Sequence, residues 1–173
     1  KKFITKNLGK NVSTKFIYKQ KSPTIIKKRY VDEASNSKTL GVYTINDDYI
    51  NKKNRKQFLK ILKKEIKKQD IVIVSDYGHG FISKEIAEYI SKEANFLTVN
   101  SQINSNNQGH HTLEKYKNVD CVLINESEMR YELRDRESQS KFLMKYLCEK
   151  LNAKSLIVTK GNEGAIYFNS KNK

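Results

Sequence analysis

The spacing of apolar residues changes near residue 46, and the change divides the chain into two kinds of structure. Before it, strand-forming residues dominate. Thr14–Tyr18, Thr24–Val31 and Thr39–Ile45 are rich in β-branched and aromatic side chains and predict three strands. Pro23 opens the second of them, and the polar run 32–37 makes the turn to the third. Residues 1–13 carry little pattern and predict a ragged end. The boundary is Asn46-Asp47-Asp48, a polar break.

Beyond it the period lengthens. Phe58, Leu59, Leu62 and Ile66 recur at helical spacing opposite a lysine-rich face. Ile71–Val74 follows as an all-apolar run, the pattern of a parallel strand buried on both faces. Ser83 can cap a helix whose inner face is Ile82, Ile86, Ala87 and Ile90. Phe96–Val99, Cys121–Ile124 and Ser155–Val158 predict further core strands, with helices at about 126–133 and 138–151 between the last two. A tight turn from Gly161 to Gly164 leads to a fifth strand ending at Phe168. Strand and helix alternating at this rhythm predict βαβ units with right-handed crossovers: an α/β fold with a mostly parallel sheet flanked by helices. The expected division is a ragged end at 1–13, a small antiparallel β unit at 14–46 and an α/β core at 47–173.

Composition adjusts this picture in three ways. The net charge is +15, which raises a nucleic-acid or membrane partner. Its densest cluster, Lys53, Lys56, Lys60, Lys63, Lys64, Lys67 and Lys68, lies on one helix and reads as a solvated face; no aromatic-basic repeat suggests base stacking. Neither a nucleic-acid nor a membrane partner is expected. No apolar run approaches the roughly 20 residues that span a bilayer. Cys121 and Cys148 fall on apolar stretches and read as free thiols in a reducing cytoplasm.

In open α/β sheets, ligands bind just past the carboxyl ends of the strands. Those ends read Ser75-Asp76-Tyr77-Gly78-His79-Gly80, Asn100-Ser101-Gln102, Asn125-Glu126-Ser127-Glu128 and Thr159-Lys160-Gly161-Asn162-Glu163-Gly164. All four are polar and two are glycine-rich, which points to one shared crevice.

Thr24–Arg29, Ser75–Gly80, the Asn-x-x-Glu at 125–128 and Val158–Ala165 occur in an order that resembles the ribokinase-like (PfkB) carbohydrate kinases. The heptose-7-phosphate kinase/ADP-heptose synthase branch is the most similar. The resemblance spans about 14–173. It implies a Rossmann-like, ribokinase-like core whose β unit is a lid over the sugar, and an ATP- and Mg²⁺-dependent transfer of phosphate to a sugar or sugar-phosphate hydroxyl. That chemistry is mainly positioning and charge neutralisation. Carried over, Asn125 and Glu128 hold the metal-water and phosphate network, and Thr159, Lys160, Gly161 and Gly164 form the nucleotide turn. Asp76 and Asn100 lie near the sugar, and Lys27 and Arg29 are candidates for a sugar phosphate, Arg29 favoured for its bidentate fork. Simpler roles stay open: a helix N-cap for Asn125, a first-turn glutamate for Glu128, a ligand-free turn at 159–164 and a solvated lid face for Lys27 and Arg29. Two copies pairing through the lid is a further expectation.

His79 stands where the relatives usually carry lysine, and Asn100 where many carry aspartate, so sugar specificity is open. The pair His110-His111 reads as loop rather than metal ligands. The family's general-base aspartate belongs to a Gly-Ala-Gly-Asp helix N-terminus, a motif these 173 residues lack. It is expected beyond Lys173, with the chain alone inactive and its parent a cytoplasmic kinase. The alternatives are a non-catalytic sugar- or nucleotide-binding domain fused to a nucleotidyltransferase, and a basic nucleic-acid-binding module.

Overall fold

The computed structural model describes residues 1–103, 107 and 111–171. Its centre is a five-stranded sheet of β3 (Val72–Asp76), β4 (Leu97–Ser101), β5 (Cys121–Asn125), β6 (Ser155–Thr159) and β7 (Ala165–Asn169), in that spatial order. The first four run parallel and β7 returns antiparallel through the glycine turn. Helices α2 (Lys52–Glu65), α3 (Lys84–Glu93), α4 (Glu126–Leu133) and α5 (Ser140–Leu151) alternate with the strands, as the periodicity predicts. Asn51 and Ser83 cap α2 and α3, each side chain accepting a backbone N–H of the first turn.

Registered positions Val74, Val99, Val122 and Leu156 line one face of the sheet and are buried in a single core with Ile86, Ile90, Met129, Leu143, Leu147 and Leu151. The opposite face departs from expectation. Ile73 is 72% exposed and Ile71 58%, so β3 is not buried on both sides. It is the edge strand of the sheet, and its alternate positions face solvent while Val74 and Asp76 point inward.

The β unit is simpler than predicted. Only β1 (Ile26–Val31) and β2 (Lys38–Thr44) pair, as an antiparallel ribbon. Thr14–Tyr18 is irregular chain outside any sheet rather than a third strand. Its groups go elsewhere: the Tyr18 carbonyl accepts the Asn54 side-chain amide, and Ile17 and Tyr18 line a cleft against the core. The stretch expected to be ragged contains a short exposed helix, α1 (Lys2–Asn7). Lys53, Lys56, Lys60, Lys63, Lys64, Lys67 and Lys68 are all exposed. Cys121 and Cys148 are free, and burial pushes the Cys148 thiol up to about 11. Among the described residues, no helix is long and apolar enough to cross a membrane.

Candidate functional site

Parallel register brings the polar strand ends into one row. Asp76 pairs with Ser101 across β3 and β4, and Asn125 with Thr159 across β5 and β6. Three inter-strand steps separate β3 from β6, roughly 14 Å at the usual spacing. The row therefore has two ends, with different chemistry.

At the β3 end a cleft of about 620 Å³ opens beneath the ribbon, and Lys19, Lys27, Asn46, Asp76, Tyr77 and His79 are among its lining residues. Lys27 reaches it from β1, its ammonium 6.0 Å from the Tyr43 ring centre and 5.9 Å from that of Tyr77. Arg29 shares that ribbon face by alternation but lies two residues farther out, exposed and outside the cleft lining. Asp76 is 4% exposed, and both its oxygens are engaged. Oδ2 accepts from Lys115 Nζ at 2.6 Å and from the Tyr116 hydroxyl at 2.7 Å; Oδ1 accepts the Gly78 N–H at 2.9 Å. Burial alone would raise its pKa, but the Lys115 ammonium and these hydrogen bonds outweigh it and hold the carboxyl below the usual range. The same partnership and burial push the Tyr116 hydroxyl far upward. Asp76 is thus a charged anchor under the cleft floor.

Sequence reasoning passed over Lys19 and Asp47, which root the ribbon. Lys19 Nζ donates to the Asn46 carbonyl at 2.6 Å and the His79 carbonyl at 3.2 Å. Desolvation lowers its pKa, opposed by Asp48 and Asp47. Asp47 Oδ1 lies 2.8 Å from His79 Nδ1, and Ile50 N–H donates to the Gly80 carbonyl at 3.0 Å. Gly80 has φ +72°, and a Cβ there would meet the Asp48 carbonyl oxygen at 2.1 Å. No local pattern marks these contacts, since they join residues 27 to 60 positions apart.

At the far end the N-cap reading of Asn125 is realised in full. Asn125 Oδ1 accepts the Glu128 N–H at 2.8 Å, while Glu128 Oε2 accepts the Asn125 N–H at 3.0 Å, closing a capping box. Glu128 Oε1 also accepts the Ile103 N–H at 3.2 Å. Burial raises the Glu128 pKa against these hydrogen bonds, so a cation nearby would be welcome. Both residues keep spare lone pairs, which suits contact with a metal's waters better than direct ligation. Replacing Glu128 with Ala removes the acceptors of two half-buried amides, one of them in the capping box, and should cost about 1–2 kcal/mol of stability in chemical denaturation.

Thr159, Lys160, Gly161 and Gly164 form the turn beside this helix start. Gly161 and Gly164 have φ +59° and +89°, and a Cβ added at either would meet no atom within 4 Å, so the loop surface is open. Lys160 is not free charge: Glu163 lies at 2.8 Å and Glu126 at 3.7 Å, and both raise its pKa, Glu163 the more. Asn100 sits mid-row and donates to the Leu123 carbonyl at 3.4 Å, turned toward β5 rather than the cleft. Ser101 Oγ lies 2.6 Å from His111 Nε2, which ties His111 to the end of β4; His110 lies outside the described residues. Among the described residues no cluster of three or more His, Cys, Asp or Glu could hold a metal ion.

Comparison with known proteins agrees with this architecture. No family model matches the chain. It is similar to the bifunctional protein HldE of a Nitratiruptor species, 26% identical over 163 residues, covering 92% of this chain and 33% of that protein. Ribokinase from Giardia lamblia superposes with a TM-score of 0.62 at 16% identity, covering 87% of this chain and 47% of that one. Phosphofructokinase-2 from Escherichia coli in complex with potassium gives 0.61 at 16% identity, covering 84% and 47%. The fructose-6-phosphate complex of the same enzyme gives 0.58 at 16%, covering 81% and 46%. The chain has the ribokinase-like fold, and it spans between a third and a half of the length of these relatives.

Proposed function

We propose that this chain forms part of an ATP-dependent kinase for a sugar or sugar phosphate, of the heptose-phosphate type. The observation that supports it most is the two-ended row of strand ends, carried on a ribokinase-like fold that resembles HldE over 92% of the chain. The cleft beneath the ribbon suits a polyhydroxy substrate with an anionic group: Lys19 and Lys27 supply positive charge, and Asn46 and His79 supply polar contacts. The open turn at 159–164 suits nucleotide phosphates, with Gly161 and Gly164 letting the backbone approach. Lys160 would meet them by exchanging Glu163 for phosphate. Mg²⁺, when bound, neutralises charge between nucleotide and acceptor, and Asn125 and Glu128 would hold its waters. Closing the ribbon over the cleft would exclude water from the transfer.

A thermal-shift series on the protein tests this reading. ATP with Mg²⁺ and heptose 7-phosphate should each raise the melting temperature, and their effects should combine. A chain stabilised by neither, but binding duplex DNA with a steep salt dependence, would favour the nucleic-acid alternative.

The ribbon also suggests how copies would pair. Alternation and register place Ile26, Tyr30, Leu40 and Val42, with Lys28 and Thr44 among them, on the face away from Lys27 and Arg29, and the four apolar residues are about half exposed. A two-stranded ribbon has little core of its own, so this apolar face would be covered by a second copy. Leu40→Glu is then expected to shift the mass in solution from dimer to monomer.

A further inference from the structure

Arginine is scarce in this chain and unevenly placed. Of the 34 basic residues 29 are lysines and five are arginines, and three of those five, Arg130, Arg134 and Arg136, fall within one seven-residue stretch. Lysine serves as well for a solvated charge, whereas the planar guanidinium grips an oxyanion through two parallel hydrogen bonds. All three line one cleft of about 750 Å³ beside α4, together with Ser127, Tyr131 and the 135–138 loop. Ser127, Arg130, Tyr131 and Arg134 recur at helical spacing, so one face of α4 and its cap forms the wall. The facing loop is fixed. Asp135 spends its carboxylate on it, Oδ1 accepting the Glu137 and Ser138 N–H groups and Oδ2 the Ser138 hydroxyl. Arg130 ties the loop to the wall, donating to the Ser138 carbonyl and to Glu126 Oε1, each at 2.9 Å. Arg134 and Arg136 are exposed, and their guanidiniums make no ion pair or hydrogen bond among the described residues. Arg134 also holds a left-handed backbone, φ +54°, which disfavours a side chain and suits glycine. Nothing its guanidinium touches among the described residues offsets that cost.

We infer that this cleft binds a small compound carrying linked phosphates, with Arg134 and Arg136 gripping the phosphate oxygens and Arg130 as a fixed third donor. Two free guanidiniums and a held one supply donors for two phosphates, and the cleft has room for both. The Ser127 hydroxyl and the half-exposed Tyr131 complete a polar lining that suits an oxyanion better than an apolar ligand. The site shares no lining residue with the cleft beneath the ribbon, and none with the turn at 159–164. One link joins it to that turn: Glu126, which accepts from Arg130 through Oε1, lies 3.7 Å from Lys160 through Oε2. The inference stands apart from the kinase reading and needs no phosphate transfer.

Titration calorimetry with magnesium-free pyrophosphate tests the assignment. The unaltered protein should bind it, and Arg134→Gln combined with Arg136→Gln should weaken binding at least about tenfold, with the melting temperature unchanged because both side chains are exposed. Arg134→Lys combined with Arg136→Lys keeps the charge but not the fork, and should weaken it about fivefold. Lys56→Gln combined with Lys60→Gln removes two charges from the exposed face of α2, and should leave the affinity within about twofold, since screened charge at a distance contributes little. Lys160→Gln should also leave it within about twofold, which separates the arginine cleft from the turn at 159–164. Four results would each overturn the inference: no binding by the unaltered protein, an equal loss in the α2 variant, full affinity in the arginine-to-lysine variant, or a loss confined to Lys160→Gln.

Discussion

Replacing Asp76 with Ala should destabilise the chain by about 3 kcal/mol, a fall in melting temperature of roughly 6–12 °C for a chain of this size. The size of the loss comes from what stays behind. Lys115, with 15% of its side chain exposed, keeps the Ile82 carbonyl at 3.0 Å and the Tyr116 ring at 5.5 Å but no counter-charge among the described residues, and the fully buried Tyr116 hydroxyl loses its acceptor. A buried charge without its partner costs more than the pair was worth, so the double variant Asp76→Asn with Lys115→Met should recover part of the loss. The pH dependence has a definite sign. The Asp76 pKa is lowered on folding, so its contribution is present above the unfolded-state value near 4 and is lost as pH falls through the folded-state value. Acid unfolding of Asp76→Asn should therefore lack that part of the slope below about pH 4. A melting temperature unmoved in Asp76→Ala would mean that the carboxylate does not anchor the cleft floor.

Gly80→Ala should be as damaging, and more specific. Its φ of +72° already disfavours a side chain, and the added carbon would meet the Asp48 carbonyl oxygen at 2.1 Å, the Asp48 carbonyl carbon at 2.6 Å and the Asp47 carbonyl oxygen at 2.7 Å. These are backbone atoms, so the returning root of the ribbon must move. Left-handed strain and that displacement together should cost at least about 2 kcal/mol. The shift separates Asp47 from His79 and Ile50 from the Gly80 carbonyl, so sugar-phosphate affinity should fall while ATP–Mg²⁺ affinity holds. Gly161→Ala is the control, since nothing lies within 4 Å of it and only about 1 kcal/mol of strain is expected. A Gly80→Ala protein with full stability and full sugar-phosphate affinity would contradict the rooted ribbon.

The core was legible in the sequence because its signals are local. Four short apolar runs between amphipathic segments define parallel strands, and the resulting register places Asp76, Asn125 and Thr159 along one edge without long-range information. The errors have physical causes. Ile71–Val74 has the composition of a doubly buried strand, but exposure depends on what lies beyond the edge, which composition does not encode. Thr14–Tyr18 has strand propensity and no partner; its hydrogen bonding goes to Asn54, and propensity alone cannot say so. Asn125 and Glu128 carried two readings at once, and the capping box shows the structural one in place. What the sequence concealed most completely is the root of the ribbon, where Lys19, Asp47 and His79 meet. Their contacts cross the boundary between the two parts, and only His79 stood out, as a departure from lysine.

The central claim is that one row of strand ends carries two ligands at opposite ends, and hydrogen–deuterium exchange of the protein tests it most directly. Heptose 7-phosphate should slow exchange in 17–27 and 75–82 and leave 159–164 unchanged. ATP with Mg²⁺ should slow exchange in 125–128 and 159–164 and leave the ribbon root unchanged. Protection by both ligands at a single end, or by either along the lysine-rich helix 52–65 instead, would contradict it.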